Sequence, residues 1–387
     1  MFPHRYRLAL GLLAVVLVVA GVLALTRGGA RWEIPLAVDG APSGSLTAAA
    51  WRAAADDFPD LLRDEEWLPL ERLLGDAGVE AIESVSAGGA EYAWDAVYDD
   101  AWVARDGRLA IGEASVAPGA LGEGLAIVRP PEAAAATASL TDLAPTIAQT
   151  LGVPSPAETT GRSLGEFSAE RAVLVILDGL GYRGYSATRD TRVTPFLDTL
   201  GAPRLGRSVY PSVTMVSTAA MLAGATPDRT GVRDRSTRDI AAQTILQTVT
   251  EAGKRAVVVE GNALPVNMPA AELRLSGDRD GDGHTDDNTR DNALAVLAEG
   301  APDFMLVHFH GIDDMGHTYG PGSEQVLERM AAVDGYLEEV VAALPPGTLL
   351  LIVADHGMHA ITSGDGLGNH GSLSGEDMFV PIWVVQL

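Results

Sequence analysis

From Ala172 to its end this chain predicts an open α/β fold, a doubly wound, mostly parallel sheet with helices on both faces. Two observations carry that expectation. Apolar runs of strand length (Ala172–Leu177, Val257–Glu260, Phe304–Phe309, Thr348–Ala354 and Phe379–Val385) alternate with helical stretches, of which Val326–Leu344 is the longest. Strands alternating with helices read as a parallel sheet. Polar side chains of one chemical kind also follow three of those runs: Asp178, Asp313, and the adjacent Asp355 and His356. The carboxyl ends of strands in such a sheet converge on one crevice, so residues distant in sequence meet there.

The elements before Ala172 are of other kinds. Leu8–Leu25 is an uncharged apolar run preceded by Arg5 and Arg7. At about 1.5 Å per residue it spans roughly 27 Å, enough to cross a bilayer as a helix. It is longer than the apolar core of most signal peptides. The expectation is a transmembrane anchor over 1–30 with the body outside the cytoplasm, with a cleaved signal and secretion as the alternative. Residues 31–137 read as a small α+β module. In it Trp67–Gly78 has helical periodicity, and Ala81–Val85 and Tyr92–Val97 read as strands. Residues 67–89 resemble the sulfite-oxidase-like molybdopterin module, whose metal is held through cysteine. This chain has none, so the resemblance implies a scaffold without the cofactor.

Pro130–Ala136 marks the expected boundary, and 138–387 the second, larger domain. It opens with Ser139–Leu164, a helix capped near Thr141 or Asp142 and closed by Gly152 and Pro154.

Composition removes several classes of function. The net charge is −25 and Lys254 is the only lysine, so the basic surface that nucleic acid requires is missing. Without cysteine there are no disulfides, thiolate ligands or cysteine nucleophiles.

The chemistry lies in Asp178, Asp313, His317, Asp355, His356 and His370, with Thr214 between them in sequence. Three carboxylates and three imidazoles suit two divalent cations held by mixed N/O ligands, zinc foremost and manganese second. Thr214 follows the turn Tyr210-Pro211-Ser212 and opens a small-residue helix. A helix start favours a bound phosphate or an alkoxide there; taken alone, Thr214 reads equally well as a simple helix cap.

Together these fragments resemble the alkaline phosphatase superfamily, nearest its type I phosphodiesterase/nucleotide pyrophosphatase branch. The resemblance covers Ala172–Leu387 in the family's order: Asp178, the threonine of "PSVT", the spacing of Gly224, Pro227 and Gly231, then "D-x-x-G-H", "A-D-H-G-M" and "G-x-H-G". It implies that Asp313, His317 and His370 hold one metal and that Asp178, Asp355 and His356 hold the other. Thr214 would contact the metals as the nucleophile that forms a phosphothreonine. The implied substrate is a small-molecule phosphate ester, with diester or pyrophosphate bonds favoured. A phosphomonoesterase, a membrane-associated phosphoethanolamine-type transferase or a non-catalytic binding module on the same fold are the alternatives. A sulfatase would need a cysteine or serine at position 214.

The sequence departs from the family where Thr230 stands in place of histidine. "VRDRS" follows where nucleotide-cleaving members carry a phosphate-contacting asparagine, so Arg233 or Arg235 is a candidate phosphate clamp. The segment 139–164 resembles one that follows the last histidine in superfamily members, which suggests a permuted order.

Asp278, Asp280, Asp282 and Asp286, with Gly283 between, have the spacing of a calcium loop. A solvated acidic loop is the equal alternative. His308 and His310 flank a strand position and read as core or surface histidines, or as groups behind the metal ligands.

Overall fold

The structure is a computed structural model that describes residues 31–112, 114–116, 124–261, 263–361 and 366–387. The apolar run Leu8–Leu25 lies outside the described residues. Among the described residues no helix is long and apolar enough to cross a membrane. The chain divides into two compact units, Ser84–Val128 with the residues up to Val79, and Arg129–Leu387 with Glu80–Glu83.

The first unit holds two small sheets. One runs in the order Ala41–Thr47, Glu33–Val38, Leu125–Val128, Ser84–Ala87, Ala90–Ala93, and the other Trp67–Pro69, Ala101–Ala104, Leu109–Ile111, Ala114–Val116. Helix Ala48–Asp57 buries Trp51, whose indole N–H donates to the carbonyl of Val103 at 2.8 Å. The expected helix over Trp67–Gly78 is shorter, Leu70–Asp76. Pro69 drives the residue before it into extended backbone, so Trp67–Pro69 pairs as a strand instead. Tyr92–Val97 is likewise divided into the end of a strand and the short helix Trp94–Val97.

The unit boundary falls at Val128, earlier than the sequence suggests, because Arg129–Thr137 is tied into the second unit. Arg183 makes a bidentate pair with Glu132 (2.8 and 3.2 Å), and Arg207 donates to the carbonyl of Ala133 at 2.7 Å.

An eight-stranded sheet organises the second unit. Its strands in chain order are β1 (Ala138–Ser139), β2 (Arg171–Leu177), β3 (Arg204–Arg207), β4 (Ala256–Glu260), β5 (Glu272–Leu275), β6 (Phe304–Phe309), β7 (Thr348–Val353) and β8 (Phe379–Gln386). They lie in the order β1-β3-β8-β7-β2-β6-β4-β5. Every pairing is parallel except those of β8, which runs against both neighbours. All residues of β4, β6 and β7 are buried. Successive strand side chains point to opposite faces, so both faces of the sheet are covered.

Six helices matter here: α1 (Leu143–Leu151), α2 (Thr214–Ala223), α3 (Ile245–Glu251), α4 (Asp286–Glu299), α5 (Gly311–Tyr319) and α6 (Glu324–Ala342). Helices α1, α2 and α3 pack on one another, and α4, α5 and α6 form a second group. The segment around α1 belongs to this unit. Leu140, Leu143, Ile147 and Leu151 join the core that β2 and β6 build, and Gly152 ends the helix in the left-handed conformation (φ 65°).

Register sets the site. Leu177 of β2 stands opposite Phe309 of β6, and Ile176 stands opposite Val353 of β7. The three central strands therefore release Asp178, His310 and Asp355 at one level of the sheet edge.

Candidate metal centre

Asp178 follows β2, and Asp355 and His356 follow β7. Asp313 and His317 sit one turn apart on α5, with Gly316 inside the helix between them. His370 lies on the loop before β8. Two groups form: Asp313, His317 and His370, and Asp178, Asp355 and His356. In each, one ligand atom per residue lies within 4.8 Å of the others.

Each of the three histidines is oriented by a backbone carbonyl. His317 Nδ1 is 3.0 Å from the carbonyl of Gly368, His356 Nδ1 is 3.0 Å from that of Gly357, and His370 Nδ1 is 3.0 Å from that of Ser212. A carbonyl only accepts, so Nδ1 carries the proton and the Nε2 lone pair is free. Those Nε2 atoms face carboxylates without their protons between. His317 Nε2 is 3.3 Å from Asp313 Oδ2, and His370 Nε2 is 3.7 Å from Asp313 Oδ1. His356 Nε2 is 3.3 Å from both Asp178 Oδ1 and Asp355 Oδ2.

The carboxylates tell the same story. Asp355 Oδ1 accepts from the amides of Gly179 (3.2 Å) and His356 (3.0 Å). Its Oδ2, with Asp178 Oδ1 and Asp313 Oδ1, is buried without a hydrogen-bond partner. Buried, unpartnered oxygens beside free imidazole lone pairs are the donor set a divalent cation needs.

Electrostatics follow from that crowding. Burial and the neighbouring Asp178 push the Asp355 carboxyl up to about 7. Burial also opposes ionisation of Asp178, but hydrogen bonds from His308 and His310 outweigh it and hold its pKa well below the usual range. Burial, with the Arg235 charge nearby, holds His370 well below the usual imidazole range, which keeps it neutral.

Thr214 is the first residue of α2, and its cap is Val213, which offers no side-chain bond. The threonine is thus free of capping, and its Oγ1 lies 3.2 Å from His356 Nε2. Of the two arginines singled out in sequence, Arg235 is at the centre. Its Nη2 donates to the carbonyl of His370 at 3.1 Å and lies 3.5 Å from that ring's Nε2. Arg233 pairs with Asp228 at 3.4 Å.

The acidic loop is corrected in one member. Asp278, Asp280 and Asp282 come together, all exposed, and Asp278 accepts from the amides of Gly281 (2.7 Å) and Gly283 (3.0 Å). Asp286 is elsewhere. It is fully buried and accepts from the amides of His310 (3.0 Å) and Gly311 (3.2 Å), with Arg329 at 3.5 Å. Its four-residue separation from Asp282 spans the start of α4, which turns its side chain toward the head of α5.

His308 and His310 are more than core or surface histidines. Both reach Asp178 and both reach Glu260. Glu260 carries a signal of the same type as the aspartates, an acid closing a buried apolar run.

The family model for type I phosphodiesterase / nucleotide pyrophosphatase matches residues 172–375, just over half the chain. Among curated proteins, GPI ethanolamine phosphate transferase 3 of Eremothecium gossypii is 35% identical over 82 residues, 21% of this chain and 8% of that protein. The catalytic subunit of GPI ethanolamine phosphate transferase 3 of Mus musculus is 26% identical over 212 residues, 49% of this chain and 19% of that one. The chain thus spans less than a fifth of the length of these relatives. Among solved structures, phosphonoacetate hydrolase from Sinorhizobium meliloti 1021 is 21% identical with a TM-score of 0.43, covering 54% of this chain and 61% of that one. Murine ectonucleotide pyrophosphatase / phosphodiesterase 5 is 16% identical with a TM-score of 0.41, covering 50% and 58%. With its matched stretch running from β2 past His370, this chain belongs to the type I phosphodiesterase / nucleotide pyrophosphatase family of the alkaline phosphatase superfamily.

Proposed function

We propose that the protein cleaves phosphodiester or pyrophosphate bonds through Thr214 at a centre for two divalent cations, with zinc foremost. The observation that carries this reading is the matched set of free Nε2 atoms and unpartnered carboxylate oxygens around the Thr214 hydroxyl. Asp313, His317 and His370 would hold one ion, and Asp178, Asp355 and His356 the other. Bound there, the pair would supply Lewis-acid stabilisation of the attacking and leaving oxygens.

The chain's own residues do the rest. The start of α2 aims Thr214 Oγ1 at the centre, where it attacks phosphorus. The new P–O bond to Thr214 forms as the bond to the leaving alcohol breaks, and the threonine proton passes to solvent. A water oxygen then attacks the phosphothreonine from the opposite side and frees Thr214. Arg235 lies where its guanidinium can hold a non-bridging phosphate oxygen. One arginine suits the single charge of a diester better than the dianion of a monoester. Lys254, the chain's only lysine, is paired with Asp303 at 3.3 Å.

Transfer to an alcohol in place of water is the second reading, favoured by the two relatives, both named as ethanolamine phosphate transferases. The first half-reaction is the same, and only the acceptor differs. The run Leu8–Leu25 would hold either chemistry at a membrane, with the catalytic unit outside the cytoplasm.

The test is turnover of mono- and diesters by the purified protein with Zn²⁺ or Mn²⁺, with and without a primary alcohol. Higher kcat/KM on diesters is expected. A tenfold preference for monoesters would overturn the diester assignment, and a dominant alcohol-ester product would select transfer.

A further inference from the structure

Beside the metal centre, β4 and β6 bring together a second polar cluster that the chemistry above does not use. His308 is buried at the end of β6, and Glu260 is fully buried at the end of β4. His310, just beyond β6, has 23% of its side chain exposed. We propose that Glu260, acting through His308 and His310, is a positioning residue that restricts Asp178 to presenting Oδ1 alone to the metal centre. The inference rests on the assignment of Asp178 as a metal ligand.

The geometry separates the two oxygens of Asp178. Oδ2 is hydrogen-bonded to His310 Nδ1 at 3.0 Å and flanked by His308 Nε2 at 3.2 Å, a charge-pair distance without hydrogen-bond geometry. Oδ1 has no hydrogen-bond partner and faces His356 Nε2 at 3.3 Å. Glu260 takes the far side of each ring: its Oε2 is 3.0 Å from His308 Nδ1, and its Oε1 contacts His310 Nε2. One carboxylate therefore fixes two rings, and the two rings enclose one oxygen, His310 by a hydrogen bond and His308 by proximity.

Three of these residues resemble a third ion site, since Asp178, His308 and His310 also offer ligand atoms within 4.8 Å of one another. The clamp accounts for them better. Three of the four ring nitrogens are hydrogen-bonded to a carboxylate oxygen, and the fourth, His308 Nε2, is turned to Asp178 Oδ2 at 3.2 Å, so each ring is already oriented by the two acids. Groups that orient metal ligands in this way set affinity, typically by ~10–100-fold.

The test measures zinc affinity by chelator competition in two backgrounds of the full chain. In Asp313→Ala only the Asp178 ion remains, and in Asp355→Ala only the Asp313 ion remains. Adding Glu260→Gln is expected to weaken the first ion about 10-fold or more and leave the second unchanged. Glu260→Asp, which keeps the carboxylate, is expected to fall between Gln and wild type. His310→Gln, at the part-exposed member, repeats the comparison should Glu260→Gln fold poorly. Equal loss at both ions would make Glu260 merely structural and overturn the proposal, as would no change at the Asp178 ion. A third ion in the wild type that Glu260→Gln removes would also overturn it. If Asp313→Ala kept two ions, the two-metal assignment would fail, a result separate from any of these.

Discussion

The Nδ1–H of His370 donates to the carbonyl of Ser212 at 3.0 Å, which joins the last histidine of the centre to the turn that presents Thr214. Ser212 returns the tie, its hydroxyl donating to the carbonyl of Ser372 at 3.0 Å. The turn before Thr214 and the His370 loop, 158 residues apart in the chain, are thereby one object. Behind them stands Asp377, fully buried, which accepts from the amide and hydroxyl of Ser372 (both 2.9 Å) and from His359 (2.8 Å).

The threonine itself is not part of that stitching. Among the described residues its hydroxyl makes one hydrogen bond, with His356, and does not cap its helix. Thr214→Ala is therefore expected to remove turnover, by ~10³-fold or more as for other lost nucleophiles. Zinc content should stay the same and stability should move by less than about 1 kcal/mol. Kinetics, metal analysis and a urea melt check it together. Retention of most of the activity would remove Thr214 from the chemistry.

Removing a ligand should do the reverse. Asp313→Ala and His370→Ala each take a donor from one group and none from the other, so bound metal is expected to fall from about two ions to about one, with collapse of activity. Inductively coupled plasma measurement on dialysed protein gives the count. Two tightly held ions in both variants would refute the ligand sets.

Much of this centre was legible in the sequence because strand ends in a parallel sheet share an edge. The apolar run Phe304–Phe309 is β6 to the residue, and the acids that follow such runs, Asp178 and Asp355 among them, meet at the crevice. What escaped shows the limit of reading by motif. Glu260 closes an apolar run in the same manner as Asp178, but no motif surrounds it. His308 and His310, which the sequence leaves open between core, surface and a place behind the metal ligands, meet Glu260 because β4 lies beside β6, a pairing that the pattern of one strand does not reveal. Asp286 was misread for the opposite reason: spacing suggested a loop ligand, while burial and two amide donors make it an anchor for the head of α5.

Protonation should couple to metal in a definite direction. Asp355 is pushed up to about 7 by burial and by Asp178. His308 is pushed up to about 9, burial and His310 opposing, Glu260 and Asp178 prevailing. Both folded values lie above the ordinary ones, so the protonated forms stabilise the fold, and that stability is lost as pH rises through the folded values. Chelated protein should thus melt at lower temperature at pH 9 than at pH 6. Added zinc should restore more of the melting temperature at pH 9, because the cation replaces the lost protons. A chelated protein whose melting temperature is level from pH 6 to 9 would contradict this.

Asp286 offers a test of the anchor. Asp286→Ala leaves the His310 and Gly311 amides and Arg329 without their carboxylate in a buried setting. The expected cost is about 3 kcal/mol in a urea melt, with activity reduced because α5 carries Asp313 and His317. Calcium should not alter the result. A variant as stable as wild type would show that α5 needs no anchor.

The segment before β2 gives the last prediction. β1 pairs with β3 at the sheet edge, and α1 buries Leu143 and Ile147 completely in the core that β2 builds. The hydroxyl of Thr146, also buried, accepts from the amide of Leu164 at 2.9 Å, which closes the loop back over the helix. Truncating a buried Leu or Ile to Ala costs ~2–5 kcal/mol. Leu143→Ala with Ile147→Ala should then remove much of the stability of a domain, typically 5–15 kcal/mol. A fragment beginning at Ala169 loses the whole segment and exposes that flank of the core, so it should be insoluble or poorly folded. One beginning at Arg129 retains β1 and α1 and should fold and bind zinc. Equal solubility and equal zinc content in the two fragments would mean that 139–164 is only a linker helix and no part of the catalytic fold.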